Sequence, residues 1–155
     1  MPPDQKGAHM KVSAILDAKG WEVVTIEPDT LVLLALHEMN MRNVGALVVT
    51  ADGEHVRGMI SDRDIARALI RHGNHLLSLQ VRKVMSRQVP VCRPDDDTND
   101  CMLTMTEART RHLPVVEGGR LRGLISIGDL VKNRLEELEL ERNVLRDYVA
   151  VRALP

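Results

Sequence analysis

The sequence predicts an α+β protein made of two β-α-β-β-α repeats related by a pseudo-twofold axis, with a long helix after the second repeat. Three observations predict it. A Gly-φ-φ-Ser-x-x-Asp segment, where φ is apolar, occurs twice. Each occurrence is preceded by the same alternation of β-branched runs, turn residues and helix-like apolar spacing. From Asp129 to Tyr148 the chain carries no helix breaker.

The duplication keeps a nearly constant offset. Gly58, Ser61 and Asp64 recur as Gly123, Ser126 and Asp129, each 65 residues on, while Pro28 and Met39 recur as Pro94 and Met105, 66 residues on. A copy of about 60 residues buries its apolar face poorly alone, so two copies are expected to cover each other.

Taken in order, residues 1–10 read as a disordered leader or an expression remnant, with Met10 an equally good start. Residues 11–72 form the first repeat, which Val12 to Leu16 lead into. Within it, an extended segment Val23 to Ile26 meets a Pro-Asp turn, and a helix follows with Leu33, Leu36, Met39 and Met41 on its apolar side. Next come a strand (Val44 to Val49), a turn at Asp52-Gly53, a second strand up to Ser61, and a helix opening after that serine.

Residues 73–80 are a linker, and Val81 to Met85 lead into the second repeat, residues 81–133. That repeat repeats the order with Val89 to Cys92, then Cys101, Met102, Met105 and Ala108 on a helix, His112 to Val116, a turn at Gly118-Gly119, and Leu121 to Ser126. Acidic residues are expected at the start of the first helix of each repeat, where the helix dipole favours them. Residues 134–155 continue as an amphipathic helix. Its stripe of Val131, Leu135, Leu138, Leu145 and Val149, interrupted by Arg142, is too long for a half-domain to cover and is expected to pack on a second subunit.

Composition removes several functions. The 155 residues carry a net charge of −1, so no basic field draws the chain to nucleic acid or to an anionic membrane. Trp21 and Tyr148 are the only aromatics, too few for a single-strand nucleic-acid platform. No run approaches the roughly 20 apolar residues of a membrane helix. Cys92 and Cys101, without metal-like or CxxC spacing, read as small buried hydrophobes of a cytoplasmic protein. The six histidines show no metal-binding spacing, Asp95-Asp96-Asp97 reads as a turn and helix start, and no phosphate loop or nucleophile elbow appears, so no metal and no enzyme activity are expected.

The repeated corner carries the chemistry. A helix N-terminus offers free N–H groups and positive potential to phosphate, a serine hydroxyl donates or accepts, and an aspartate one turn on can hold the paired hydroxyls of a ribose. The same Ser-x-x-Asp is also a capping box, and the spacing alone does not decide between the two.

The stretch from about Lys11 to Lys132 resembles a tandem pair of CBS domains, on Asn43 to Val49, Gly58 to Asp64, Arg111 to Val116 and Gly123 to Asp129. The resemblance implies a disc-like module with two clefts for AMP, ADP, ATP or a related adenosyl ligand. It places Asp64 and Asp129 on ribose, with Ser61 and Ser126 near ribose or phosphate. It sets Val44, Gly45 and Ala46 in the Asp129 cleft, and Thr110, Arg111 and His112 in the Asp64 cleft. The clefts are expected to differ, since Arg63 can meet a phosphate and its counterpart Gly128 cannot. The function expected is a regulatory nucleotide sensor that needs no cofactor, forms a homodimer and signals to an effector protein not encoded here. The alternative is a ligand-free adaptor that dimerises through its helices.

Overall fold

The computed structural model describes residues 10–153, and the expectation for residues 1–9 lies outside them. The elements run in the expected order. Helix α1 (Val12–Lys19) comes first, then β1 (Thr25–Ile26), α2 (Val32–Arg42), β2 (Ala46–Val49), β3 (Gly58–Ser61) and α3 (Asp62–His72). After two short 3-10 segments, Gly73–Ser78 and Val81–Lys83, come α4 (Thr98–Ala108), β4 (His112–Glu117), β5 (Arg120–Ser126) and α5 (Ile127–Arg152).

In the first repeat β1 pairs parallel to β2 and β2 antiparallel to β3, so α2 is the crossover of a β-α-β unit. In the second, β4 pairs antiparallel to β5, and Cys92 makes a single parallel bridge to Val115 where β1 would predict a third strand. The extended segments proposed from Val23 and from Val89 are therefore shorter than their sequences suggest. Between β4 and β5, Gly118 and Gly119 both take positive φ, the requirement of a tight hairpin turn.

Helices α2 and α4 bury a narrower stripe than the sequence indicates. Val32, Ala35 and Met39 face the core from α2, while Leu33 and Met41 are exposed; from α4 the buried set is Thr98, Cys101 and Met105, and Ala108 is exposed. Ala35 at the helix centre admits the close approach that side chains as large as Leu33 and Met41 would block. Asp97 caps α4 by accepting from Asn99 N–H, and Asp100 lies in its first turn, but the first turn of α2 holds no acid.

The leading segments are exchanged between the repeats. Val12, Ile15 and Leu16 of α1 lie in the core of the second repeat with Cys92, Cys101, Met105, Leu113, Val115 and Ile125. Leu76, Val81 and Met85 lie in the core of the first with Ile26, Val32, Leu47 and Ile60. Matching backbone bridges record the symmetry: Leu31 pairs with Gln80, and Asp97, 66 residues after Leu31, pairs with Lys11. Met10 is drawn in too, its carbonyl accepting from Thr98 N–H and its sulfur from Asn133 Nδ2. A third cluster of Ala46, Val48 and Met59, flanked by Val89, Leu121 and Leu124, joins the sheets.

Both motif glycines sit where the exchanged segments cross. A Cβ on Gly58 would stand 2.5 Å from the Ser86 carbonyl oxygen, and one on Gly123 2.6 Å from Leu16 Cδ1. Backbone cannot yield as a side-chain end can. Gly58→Ala is expected to lower stability by about 1–3 kcal/mol, and Gly123→Ala by less. Urea unfolding of the two variants checks this; equal losses would show that the Ser86 backbone is not the obstacle.

Candidate functional site

Both Ser-x-x-Asp corners form as helix starts. Ser61 caps α3 and Ser126 caps α5, each with its hydroxyl accepting from the backbone N–H of the aspartate three residues on and that aspartate accepting from the serine N–H. The capping box is therefore real in both repeats. Each corner is also braced within its own repeat by an equivalent bond: Asp62 N–H donates to the Gly45 carbonyl, and Ile127 N–H to the Arg111 carbonyl.

Around Asp64 the corner opens into a cleft of about 690 Å³, its mouth included. Ser61 at the end of β3 and Arg63, Asp64 and Arg67 of α3 line it on one side, and Ser86, Gln88, Val89, Pro90, Arg109, Thr110, Arg111 and His112 line it from the second repeat. The sequence-predicted Ser61, Arg63, Asp64, Thr110, Arg111 and His112 are thus brought together. One Asp64 oxygen takes the Ser61 hydroxyl and N–H, and the other takes the Ser86 hydroxyl.

The cleft is basic. Arg111 pairs with Asp62 across the repeats. Among the described residues, Arg63, Arg67 and Arg109 make no ion pair. Burial beside the Arg111 charge holds the His112 imidazole below its ordinary range, with Asp62 opposing weakly. His112 also touches the first repeat: a Cβ on Gly45 would lie 3.7 Å from its Cε1.

The sequence reading missed Arg67, Arg109, Ser86 and Gln88. Arg67 was findable, since it stands one helical turn after Arg63 on the same face. Arg109 ends α4 in the left-handed region (φ +53°), as Asn43 ends α2 (φ +52°), which turns the chain into the cleft wall. Nothing in the sequence marks Ser86, which arrives through its bridge to Met59.

The corner at Asp129 differs. Lys19 Nζ, reaching from α1, donates to Asp129 Oδ2 at 2.7 Å and to the Leu124 carbonyl at 2.9 Å. The cavity there lies between α1 and α5, lined by Met10, Ala14, Lys19, Asp129, Lys132 and Asn133 among others. Val44, Gly45 and Ala46 are not among its walls: Gly45 lies against His112, Ala46 is buried between the sheets, and Val44 packs on the first core. Gly128 leaves the corner without the charge that Arg63 supplies at Asp64.

A family model described as "CBS domain" matches residues 17–71 and again 81–136. The chain belongs to the CBS domain family. The CBS pair is 31% identical over 124 residues to the CBS domain-containing protein YhcV of Bacillus subtilis, covering 80% of this chain and 87% of that one. It is 34% identical over 125 residues to a mitochondrial CBS domain-containing protein, CBSX3, of Arabidopsis thaliana, of whose length the match spans 61%. Among solved structures, the CBS-domain containing protein ATU1752 of Agrobacterium tumefaciens superposes with a TM-score of 0.78 at 39% identity, covering 81% of this chain and 99% of that one. The CBS domain pair of MJ0100, solved with 5′-methylthioadenosine and S-adenosyl-L-methionine, shares the fold at 20% identity and a TM-score of 0.71. No helix among the described residues is long and apolar enough to cross a membrane.

The Lys19–Asp129 pair yields a signed pH test. Burial opposes ionisation of Asp129, but the Lys19 ammonium and the Ser126 N–H outweigh it and hold the carboxyl below its ordinary range. A depressed carboxylate contributes stability that is full above its unfolded pKa and lost as pH falls through the folded one. Lys19→Met should cost about 0.5–1 kcal/mol at neutral pH, a modest figure because the lysine is partly exposed. The difference from the parent should vanish in acid, below the carboxylate range, in paired urea titrations. A difference that persists there would trace to packing instead.

Proposed function

We propose that this CBS pair is a non-enzymatic cytoplasmic sensor of an adenine nucleotide (AMP, ADP or ATP) or a related adenosyl ligand, loaded at the Asp64 cleft. The convergence of Arg63, Arg67, Arg109 and Arg111 from both repeats around one cleft carries this reading. Phosphate suits guanidinium forks, and a helix N-terminus adds potential of the same sign. Asp64 lines the cleft, and a ribose diol can replace the Ser86 hydroxyl on the carboxylate oxygen that now accepts it. Val89, Pro90 and Met59 give a base an aliphatic surface, as a chain with two aromatics requires. That MJ0100 holds adenosyl compounds on this fold supports the ligand class.

The Asp129 corner is the weaker site in this reading, because a ligand there must first displace Lys19. A ligand bridging both repeats at Asp64 favours one angle between them, and an effector protein reads that angle. Buried, unbridged Cys92 and Cys101 suit a reducing compartment.

Isothermal titration with AMP, ADP, ATP, adenosine and S-adenosylmethionine tests the site. Saturable binding is expected, lost in Asp64→Ala and little changed in Asp129→Ala. Arg63→Ala should weaken the phosphorylated ligands by about 1.5–3 kcal/mol and leave adenosine unaffected. Binding of none of these compounds would leave the adaptor reading, in which the corners only cap helices.

The chain is also proposed to be a homodimer through α5. Beyond Leu130 that helix has no buried residue, and Leu135, Leu138, Leu145 and Val149 are exposed on one side. Each forgoes about 1.5–3 kcal/mol of burial while uncovered. Sedimentation should find a dimer for the full chain and a monomer, or an aggregate, after deletion of residues 135–155. A stable dimer of the shortened chain would move the interface to the repeats.

A further inference from the structure

We infer that α5 pairs with α5 of a second copy as a parallel, in-register, two-stranded coiled coil; this rests on the proposed dimer through that helix and fixes its orientation. Most of the segment concerned lies beyond the CBS family model, which ends at residue 136. From Arg134 to Arg152 the helix runs about 28 Å and touches no other element with a buried side chain.

The pattern along it is heptad. Val131, Leu135, Leu138, Arg142, Leu145, Val149 and Arg152 alternate steps of four and three, the seam of a left-handed supercoil. In that frame Leu135, Arg142 and Val149 take the a positions, and Val131, Leu138 and Leu145 the d positions. The flanking g positions are then Arg134 and Glu141, and the e positions Glu139 and Arg146.

A parallel dimer sets each g against the e that follows it on the other helix. Arg134 then faces Glu139 of the partner subunit, and Glu141 faces Arg146 of the partner subunit. Both flanking pairs are complementary in each direction. Among the described residues of one chain, Arg134 pairs with Glu137. Leu135, Leu138, Leu145 and Val149 each meet their own counterpart, so charge enters the seam at Arg142, beside Glu141 of the partner subunit, and again at Arg152 in the last turn. One charged a residue of this kind fixes register at a cost in stability. Antiparallel pairing is poorer. Its best register does bring Glu139 to Arg146, but it lays Arg142 against Leu145 and Arg152 against Leu135, and leaves Glu141 facing Tyr148.

The full-length chain tests this through Leu138→Cys. In a parallel pair the two cysteines are opposite, so mild oxidation should convert most of the chain to a covalent dimer that reducing agent reverses. The parent, whose cysteines are buried, should stay uncrosslinked. A charge exchange guards against a merely misfolded variant. Glu141→Arg should weaken dimerisation by about tenfold, and adding Arg146→Glu should restore it, which only the parallel arrangement allows. A sedimenting dimer that neither crosslinks nor is rescued overturns the parallel coil and leaves the dimer standing. A full-length monomer overturns both.

Discussion

The whole structure depends on the close crossing of chain segments at Gly58 and Gly123. At each point the strand that leads to a Ser-x-x-Asp corner is overlaid by a segment belonging, in sequence, to the other repeat. Only a residue without a side chain lets backbone or a buried leucine come so near. The overlying segment also completes the apolar cluster beneath, so neither repeat has a closed core by its own residues. The corners are placed by the same contact, because β3 and β5 end three residues later in Ser61 and Ser126.

That common scaffold carries two unlike corners. The exchanged segments differ in what they bring: Ser86 arrives at Asp64 with a small hydroxyl, and Lys19 arrives at Asp129 with a charge. A hydroxyl is readily given up to a ligand, whereas an ammonium neutralises the carboxylate and fills the space before it. Arg63 against Gly128 sharpens the contrast. The asymmetry arises both within the repeated motif, at Arg63 and Gly128, and in the segment that opens each repeat, which supplies Lys19 or Ser86.

This explains how much could be read from the sequence. The duplication, the order of elements and the corner helices are legible because periodicity and a fixed offset report local structure, whereas the grouping of Ser61, Arg63 and Asp64 with Thr110, Arg111 and His112 came from the resemblance to CBS pairs. The exchange was not, since nothing local tells Val12 and Leu16 that their partners are Cys101 and Gly123. The Lys19 contact was hidden for the same reason, being 110 residues from Asp129. Apolar counting misled at Leu33 and Met41, where the inward positions belong to Val32 and Ala35. Arg67 lies one helical turn beyond the repeated motif, where the duplication carries no signal.

The exchange has a consequence for how the molecule is held as one object. Two separate copies of a single repeat trading their leading segments would meet only by collision, and their integrity would depend on concentration. Here the stretch from Gly73 to Gln80 tethers them, and a short tether holds partners at an effective concentration of about millimolar. Half of the molecule thus serves as a permanently supplied subunit for the other half, and dilution does not separate them.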